Sequence, residues 1–229
     1  MAKLNQIEIR ESRVTYTNKR DWFFHPTGHH VRELLEYNLP TDFILDGSSK
    51  LSIIFGERPK EKKIYNNGLG GVSIYYIDDF DIEQYMKQPV EVQQEVILDV
   101  VTRAMVDIAK NSGADIEVIQ AASDKVRSSG FSSEIEIKKL SRSTRDRKIR
   151  VSVFRCLGPK IGEVWETRIK LRNGCVLSVE KITNSPSCLD RTSHFSKSRW
   201  EGNIFQIIYS RLQKITYELD ISKYIELNR

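Results

Sequence analysis

The chain has 229 residues, 39% hydrophobic and 29% charged, a composition that builds a folded core and excludes a disordered polymer. Its formal charge of +5 hides a division: residues 1–120 carry 14 Lys+Arg against 19 Asp+Glu, a net of −5, and residues 121–229 carry 22 against 12, a net of +10. No apolar run reaches the roughly 18–20 residues of a membrane span, no secretory leader is legible, and the three cysteines lack paired spacing. The expectation is a cytoplasmic protein with free thiols and no membrane partner.

Along the chain, Leu4–Thr17 alternates apolar and polar residues and predicts a strand. An aromatic knot, Trp22-Phe23-Phe24-His25-Pro26, follows, and its large rings are expected in the core. A short helix is predicted over His29–Tyr37, then strands at Leu51–Phe55 and Val72–Ile77 joined by a solvated polar loop. From Asp81 the period becomes helical: Val92, Val96, Ile97, Val100, Val101, Ala104, Met105 and Ile108 share one face, with Pro89 before them and Gly113 after. Asp115 opens a second helix with Ile116, Ile119, Ala122 and Val126 inward.

Four strand-like runs follow at Ser133–Leu140, Lys148–Leu157, Glu163–Arg172 and Cys175–Ile182, and their short connections predict an antiparallel meander. The parity of apolar residues about Arg172-Asn173-Gly174 predicts a three-residue loop with Gly174 left-handed, Leu171 beside Cys175 and Ile169 beside Leu177. After an irregular Ser-rich stretch at Thr183–Trp200, the spacing of Ile204, Ile208, Leu212, Ile215 and Leu219 predicts a terminal helix. The fold class is therefore α+β: a strand-rich N-terminal part over 1–80, then 81–229 with two central helices and a four-stranded meander packed by the last helix, the two parts being separable or one continuous domain.

Residues 138–172 hold twelve bases against three acids, and a one-sided field of that kind steers acidic partners. The candidate binding residues are Lys138, Arg142, Arg145, Arg147, Lys148, Arg150, Arg168, Lys170 and Arg172. Nucleic acid would also draw on aromatic stacking platforms, and this segment offers only Phe154 and Trp165, the latter on the core side of its strand. An acidic protein surface is the favoured partner and nucleic acid the alternative, with a non-enzymatic protein of immunity, antitoxin or adaptor type as the expected class.

Other constellations are thinner. His25, His29 and His30 fall close together without the further ligands of a metal motif; the acids Asp78, Asp79, Asp81 and Glu83 precede a helix that Asp81 can cap. Glu136-Ile137-Lys138 resembles the E-x-K element of restriction-endonuclease-like nucleases, which implies a metal-dependent nuclease as a further alternative, with the acids at 78–81 completing the site. Cys188-Leu189-Asp190-Arg191-Thr192 resembles the C-L-D-R-T tail of the active-site loop in Sac-type phosphoinositide phosphatases. Ser185 stands where that family has its nucleophilic cysteine and Pro186 follows it, so no phosphatase activity is carried over. No metal or cofactor is expected.

Overall fold

The computed structural model describes residues 1–12, 24–183 and 193–226. By its internal contacts the chain falls into two units, Met1–Ser132 with Leu157–Gly162, and Ser133–Cys156 with Glu163–Arg229. Among the described residues no helix is long and apolar enough to cross a membrane.

The first unit runs β1 (Gln6–Glu11), α1 (Phe24–Thr27), α2 (His29–Asn38), β2 (Lys50–Phe55), β3 (Tyr65–Asn66), β4 (Val72–Ile77), α3 (Ile82–Met86), α4 (Val90–Ser112) and α5 (Ile116–Ser128). Its sheet has the order β1-β2-β4-β3, with β1, β2 and β4 parallel and the short β3, inside the stretch expected as loop, antiparallel. The central β2 is buried on both faces, as a continuous apolar run in a parallel strand requires. Helix boundaries follow local chemistry. Asp81 caps α3 by accepting from Gln84 N at 2.9 Å, Asp115 caps α5 through Glu117 N and Val118 N, and Gly113 ends α4 at a φ of 79°. The expected stripe of α4 is buried from Ile97 to Ile108, whereas Val92 in its first turn is exposed. Phe24 is core, its ring 4.8 Å from Phe55 and 5.3 Å from Tyr85; Trp22 and Phe23 lie outside the described residues.

The polar start of α2 is buried. His29 and His30 are 0% and 3% exposed, and Arg32 and Glu33 are 6% exposed. α2 packs between α4, where His30 meets Gln94, and the free edge of β1. Glu36 accepts from Ile7 N, and Arg32 Nη1 donates to Ile7 O at 2.9 Å while pairing with Glu33 at 2.8 Å. Side chains thus take the place of a neighbouring strand, satisfying backbone groups that burial would otherwise strand.

The second unit contains β5 (Ser133–Glu136), β6 (Arg142–Ser143), β7 (Ile149–Gly158), β8 (Gly162–Leu171), β9 (Val176–Lys181), β10 (Lys197–Glu201), β11 (Ile204–Tyr209), β12 (Lys214–Asp220) and α6 (Ser222–Glu226); the β7–β8 tip at 157–162 groups with the first unit. The order β5-β7-β8-β9 is the expected meander, with β6 also paired to β7. Against expectation, Ile204–Leu219 is not a helix but the strands β11 and β12 of a separate antiparallel sheet, β10-β11-β12. Its apolar residues fit a helical spacing, but the segment is rich in β-branched and aromatic residues, which suit a pleated surface. Gly202-Asn203 makes a two-residue hairpin loop between Glu201 and Ile204, with Gly202 at a φ of 58°. The two sheets close on one core that includes Val151, Val153, Trp165, Ile169, Phe195, Phe205 and Ile207.

The β8–β9 loop has the expected three residues, with Gly174 at a φ of 88° and Leu171 N donating to Cys175 O at 2.9 Å. The pairing beyond it differs. Lys170 faces Val176, but a bulge at Leu177 shifts the register, so Ile169 faces Ser178 and Arg168 faces Val179. The extra residue lets Leu177 pack on the core while Val179 joins the outer face.

One pH dependence follows from α2. Burial pushes His30 down from the usual 6.5 to about 4, against the opposing contact of Gln94 Oε1 at 3.5 Å. The unfolded chain therefore binds the proton more readily, so this stability is complete above the unfolded value and is lost as pH falls toward the folded one. Urea unfolding should show about 2 kcal/mol of stability lost between about pH 7.5 and about pH 5 through this group, and His30→Gln should flatten that slope. An equal slope in the variant would assign the acid sensitivity elsewhere.

Candidate functional site

The nine candidate bases all lie in the second unit, but they do not form one face. Two are committed to internal ion pairs on the outer side of the meander. Arg150 Nη2 meets Glu136 at 2.8 Å, and Arg168 is held by Glu134 Oε2 and Glu166 Oε1, each at 2.7 Å. The Arg168 guanidinium also lies 4.0 Å from the centroid of Phe154, with the Lys170 ammonium 4.9 Å from the same ring. This side is close to neutral. It holds Cys156 as well, whose thiol burial and the neighbouring Glu166 and Glu134 push up to about 11, far from a thiolate.

The bases left without an ion pair among the described residues are Lys138, Arg142, Arg145, Arg147, Lys148, Lys170 and Arg172. Lys138 projects from the 137–141 turn that separates β5 from β6. The turn is fixed by Ile137 N to Val153 O at 2.8 Å and Val153 N to Ser141 Oγ at 3.0 Å. Arg145, Arg147 and Lys148 occupy the loop between β6 and β7, and Arg172 N donates to Lys148 O at 3.0 Å, joining this loop to the β8–β9 turn. Four bases therefore converge at one end of the sheet.

The loop is built locally. Thr144 N donates to Ile149 O at 2.9 Å and Arg147 N to Thr144 O at 3.0 Å. The single acid, Asp146, accepts from Thr144 Oγ1 at 2.6 Å and from Lys148 N at 3.1 Å, and those two donors, Thr144 first, hold its carboxyl below the usual range. Asp146 thus braces the turn. Arg147 sits in the left-handed region at a φ of 58°, where glycine or asparagine is the ordinary occupant.

Beside this loop lies a cavity of about 550 Å³, lined wholly by the second unit. Its accessible apolar lining is Trp200 and the half-buried Ile225, with Ile149 and Ile221 buried behind it, and Arg145, Asp146 and Lys148 also line it. Trp200 is fixed, its Nε1 donating to Ser143 O at 2.9 Å and its ring packed edge-on against Phe205 at 5.4 Å. Trp200, Ile221 and Ile225 were not among the candidate residues of the sequence. The signal that could have found them is the Gly202-Asn203 hairpin, which brings β10 and β11 together.

The E-x-K residues separate: Glu136 ends β5 and pairs with Arg150, and Lys138 lies in the following turn. Burial pushes the Glu136 carboxyl up, but hydrogen bonds from Arg150, Ser141 and Ser152 together with the Arg150 charge outweigh it and hold the group below its usual range. Asp78 pairs with Arg58 at 2.9 Å in the first unit, where Asp81 caps α3. Among the described residues no group of three His, Cys, Asp or Glu side chains is placed to hold a metal ion. The Cys188–Thr192 segment lies outside the described residues. Compared with known proteins, the chain matches no family, no curated protein and no solved structure.

The strain at Arg147 is testable by itself. A left-handed non-glycine residue costs about 1 kcal/mol, so Arg147→Gly should raise stability by up to about that amount in urea unfolding. A destabilised variant would mean that the arginine side chain contributes packing here.

Proposed function

We propose that this chain is a non-enzymatic binding protein, of immunity, antitoxin or adaptor type, that engages an acidic surface of another protein through the basic end of its second unit. The observation that carries the reading is the convergence of Arg145, Arg147, Lys148 and Arg172 at two joined turns, with the local acid Asp146 already committed to the turn. Charges at loop tips keep their hydration until a partner arrives, and they set encounter rate and orientation. The residues on the sheet's outer side, Arg150 and Arg168, carry less of this role because their charge is matched in place.

A nucleic-acid partner would use the same bases, and a metal-dependent nuclease remains the third reading. Protein is favoured because Trp200, the one aromatic residue bordering the cavity, is braced by Ser143 and Phe205 and offers no row of stacking platforms.

The test is an affinity purification from nuclease-treated extract of the source organism, with wild type beside Arg142/Arg145/Arg147/Lys148→Glu. The expected result is a discrete acidic protein held by wild type, its affinity for the purified variant lower by roughly a hundredfold or more, and its binding weakened by salt. Arg147→Gly should bind less tightly while gaining stability, a divergence that a purely structural role does not give. Binding that disappears with nuclease treatment would transfer the site to nucleic acid. Equal retention by both proteins would remove the basic end from function.

A further inference from the structure

The cavity beside the basic loop adds something that charge alone does not. Its accessible apolar surface, from Trp200 and the half-buried Ile225, favours an apolar group over water, and its volume of about 550 Å³ lies in the range of binding pockets, roughly 300–1,000 Å³. The rim is cationic on the side of Arg145 and Lys148, and neither base forms an ion pair with a described residue. Trp200 is a fixed wall, so the pocket needs no rearrangement of that residue to receive a ligand.

We infer that this cavity receives one bulky apolar side chain, aromatic or branched aliphatic, carried by a partner segment whose neighbouring carboxylates meet Arg145 and Lys148. The inference rests on the proposed protein-binding function and specifies what the partner must present. Interface energy concentrates in a few anchors that fill desolvated pockets, and surrounding charge pairs set orientation and specificity. An apolar wall of Trp200 and Ile225 beside two bases fits that division: the anchor contributes most of the affinity and the carboxylates select the segment. Asp146 adds discrimination, because its fixed carboxylate repels an acid placed on its own side of the rim. A run of nucleobases fits less well, since Trp200 is the one aromatic ring in the lining and single-stranded nucleic acid draws on successive stacking platforms.

The experiment is selection of a displayed random peptide library on the immobilised full chain, followed by affinity measurement of synthetic, fluorescein-labelled versions of the enriched peptides. Enriched peptides should combine a large apolar residue with acids close to it in sequence. Replacing that apolar residue by Ala, or filling the cavity from either of two sides with Ser143→Phe or Asn203→Phe, should weaken binding about tenfold or more, with the fold of each variant checked by its urea midpoint. Arg145→Ala/Lys148→Ala should weaken the same peptides. Peptides that are acidic without an apolar anchor, or that bind both filled variants unchanged, would overturn the pocket inference and leave the charged-surface reading standing. Peptides indifferent to Arg145→Ala/Lys148→Ala would overturn that reading itself. No enrichment, or displacement of the peptides by a labelled oligothymidylate, would overturn both in favour of another partner.

Discussion

Glu163, with no solvent exposure, stands between the guanidinium of Arg155 and the indole of Trp165, each donating to its carboxylate at 2.6 Å, and the second unit is organised around satisfying it. A buried carboxylate that loses a partner costs several kcal/mol, so the strands bearing these three residues cannot be repaired by a small slip. A shift of one residue would turn Glu163 and Trp165 to the other side of β8 and bring Val164 and Glu166 to the core. Register fixed in this way determines the outer side too. Phe154, Glu166, Arg168 and Lys170 are placed there together, and the ion pairs and cation–ring contacts among them follow.

The same rule shapes the first unit through different residues. Arg32 and Glu36 are charged side chains placed against the backbone of Ile7, where an edge strand would otherwise offer bare hydrogen-bonding groups. Buried charge in this chain therefore acts structurally, closing a strand edge in one unit and fixing a strand register in the other. Much of the unmatched charge lies on the β6–β7 loop, whose conformation is set by local bonds such as those of Thr144 and Asp146 and does not rely on the bases' side chains. Substituting the loop bases is thus separable from folding in a way that substituting Arg32 or Arg155 is not.

What was legible in the sequence is what local chemistry decides. Asp81, Asp115 and Gly113 announced helix ends by their own side chains or conformations, and the three-residue loop at 172–174 followed from the parity of its flanking residues. The terminal segment failed because five apolar residues at helical spacing can also be read as two short strands, and tertiary pairing with β10 decided between them. The bulge at Leu177 escaped for a similar reason: parity near a loop is local, whereas the fate of Val179 and Leu177 depends on what the opposite sheet has room to cover. Composition counted Arg150 and Arg168 among the free bases because their acids, Glu136 and Glu134, are 14 and 34 residues away along the chain.

That last point changes how the charge excess bears on function. A dense basic segment suggested a charged sheet face, but Arg150 and Arg168 on the strands are matched in place, and Arg145, Arg147, Lys148 and Arg172, without ion pairs among the described residues, gather at the turns. Matched charge on a face protects it from indiscriminate association, and unmatched charge at an end gives direction to approach. The cavity lies beside that end, and its accessible apolar lining comes from Trp200 of β10 and Ile225 of α6, which the two-sheet core brings beside the β6–β7 loop. A basic loop alone attracts many acidic surfaces and distinguishes few. Under the binding function proposed above, the recess next to it adds a shape requirement that most of those surfaces would fail, so selectivity would arise from the pairing of the two and not from either one.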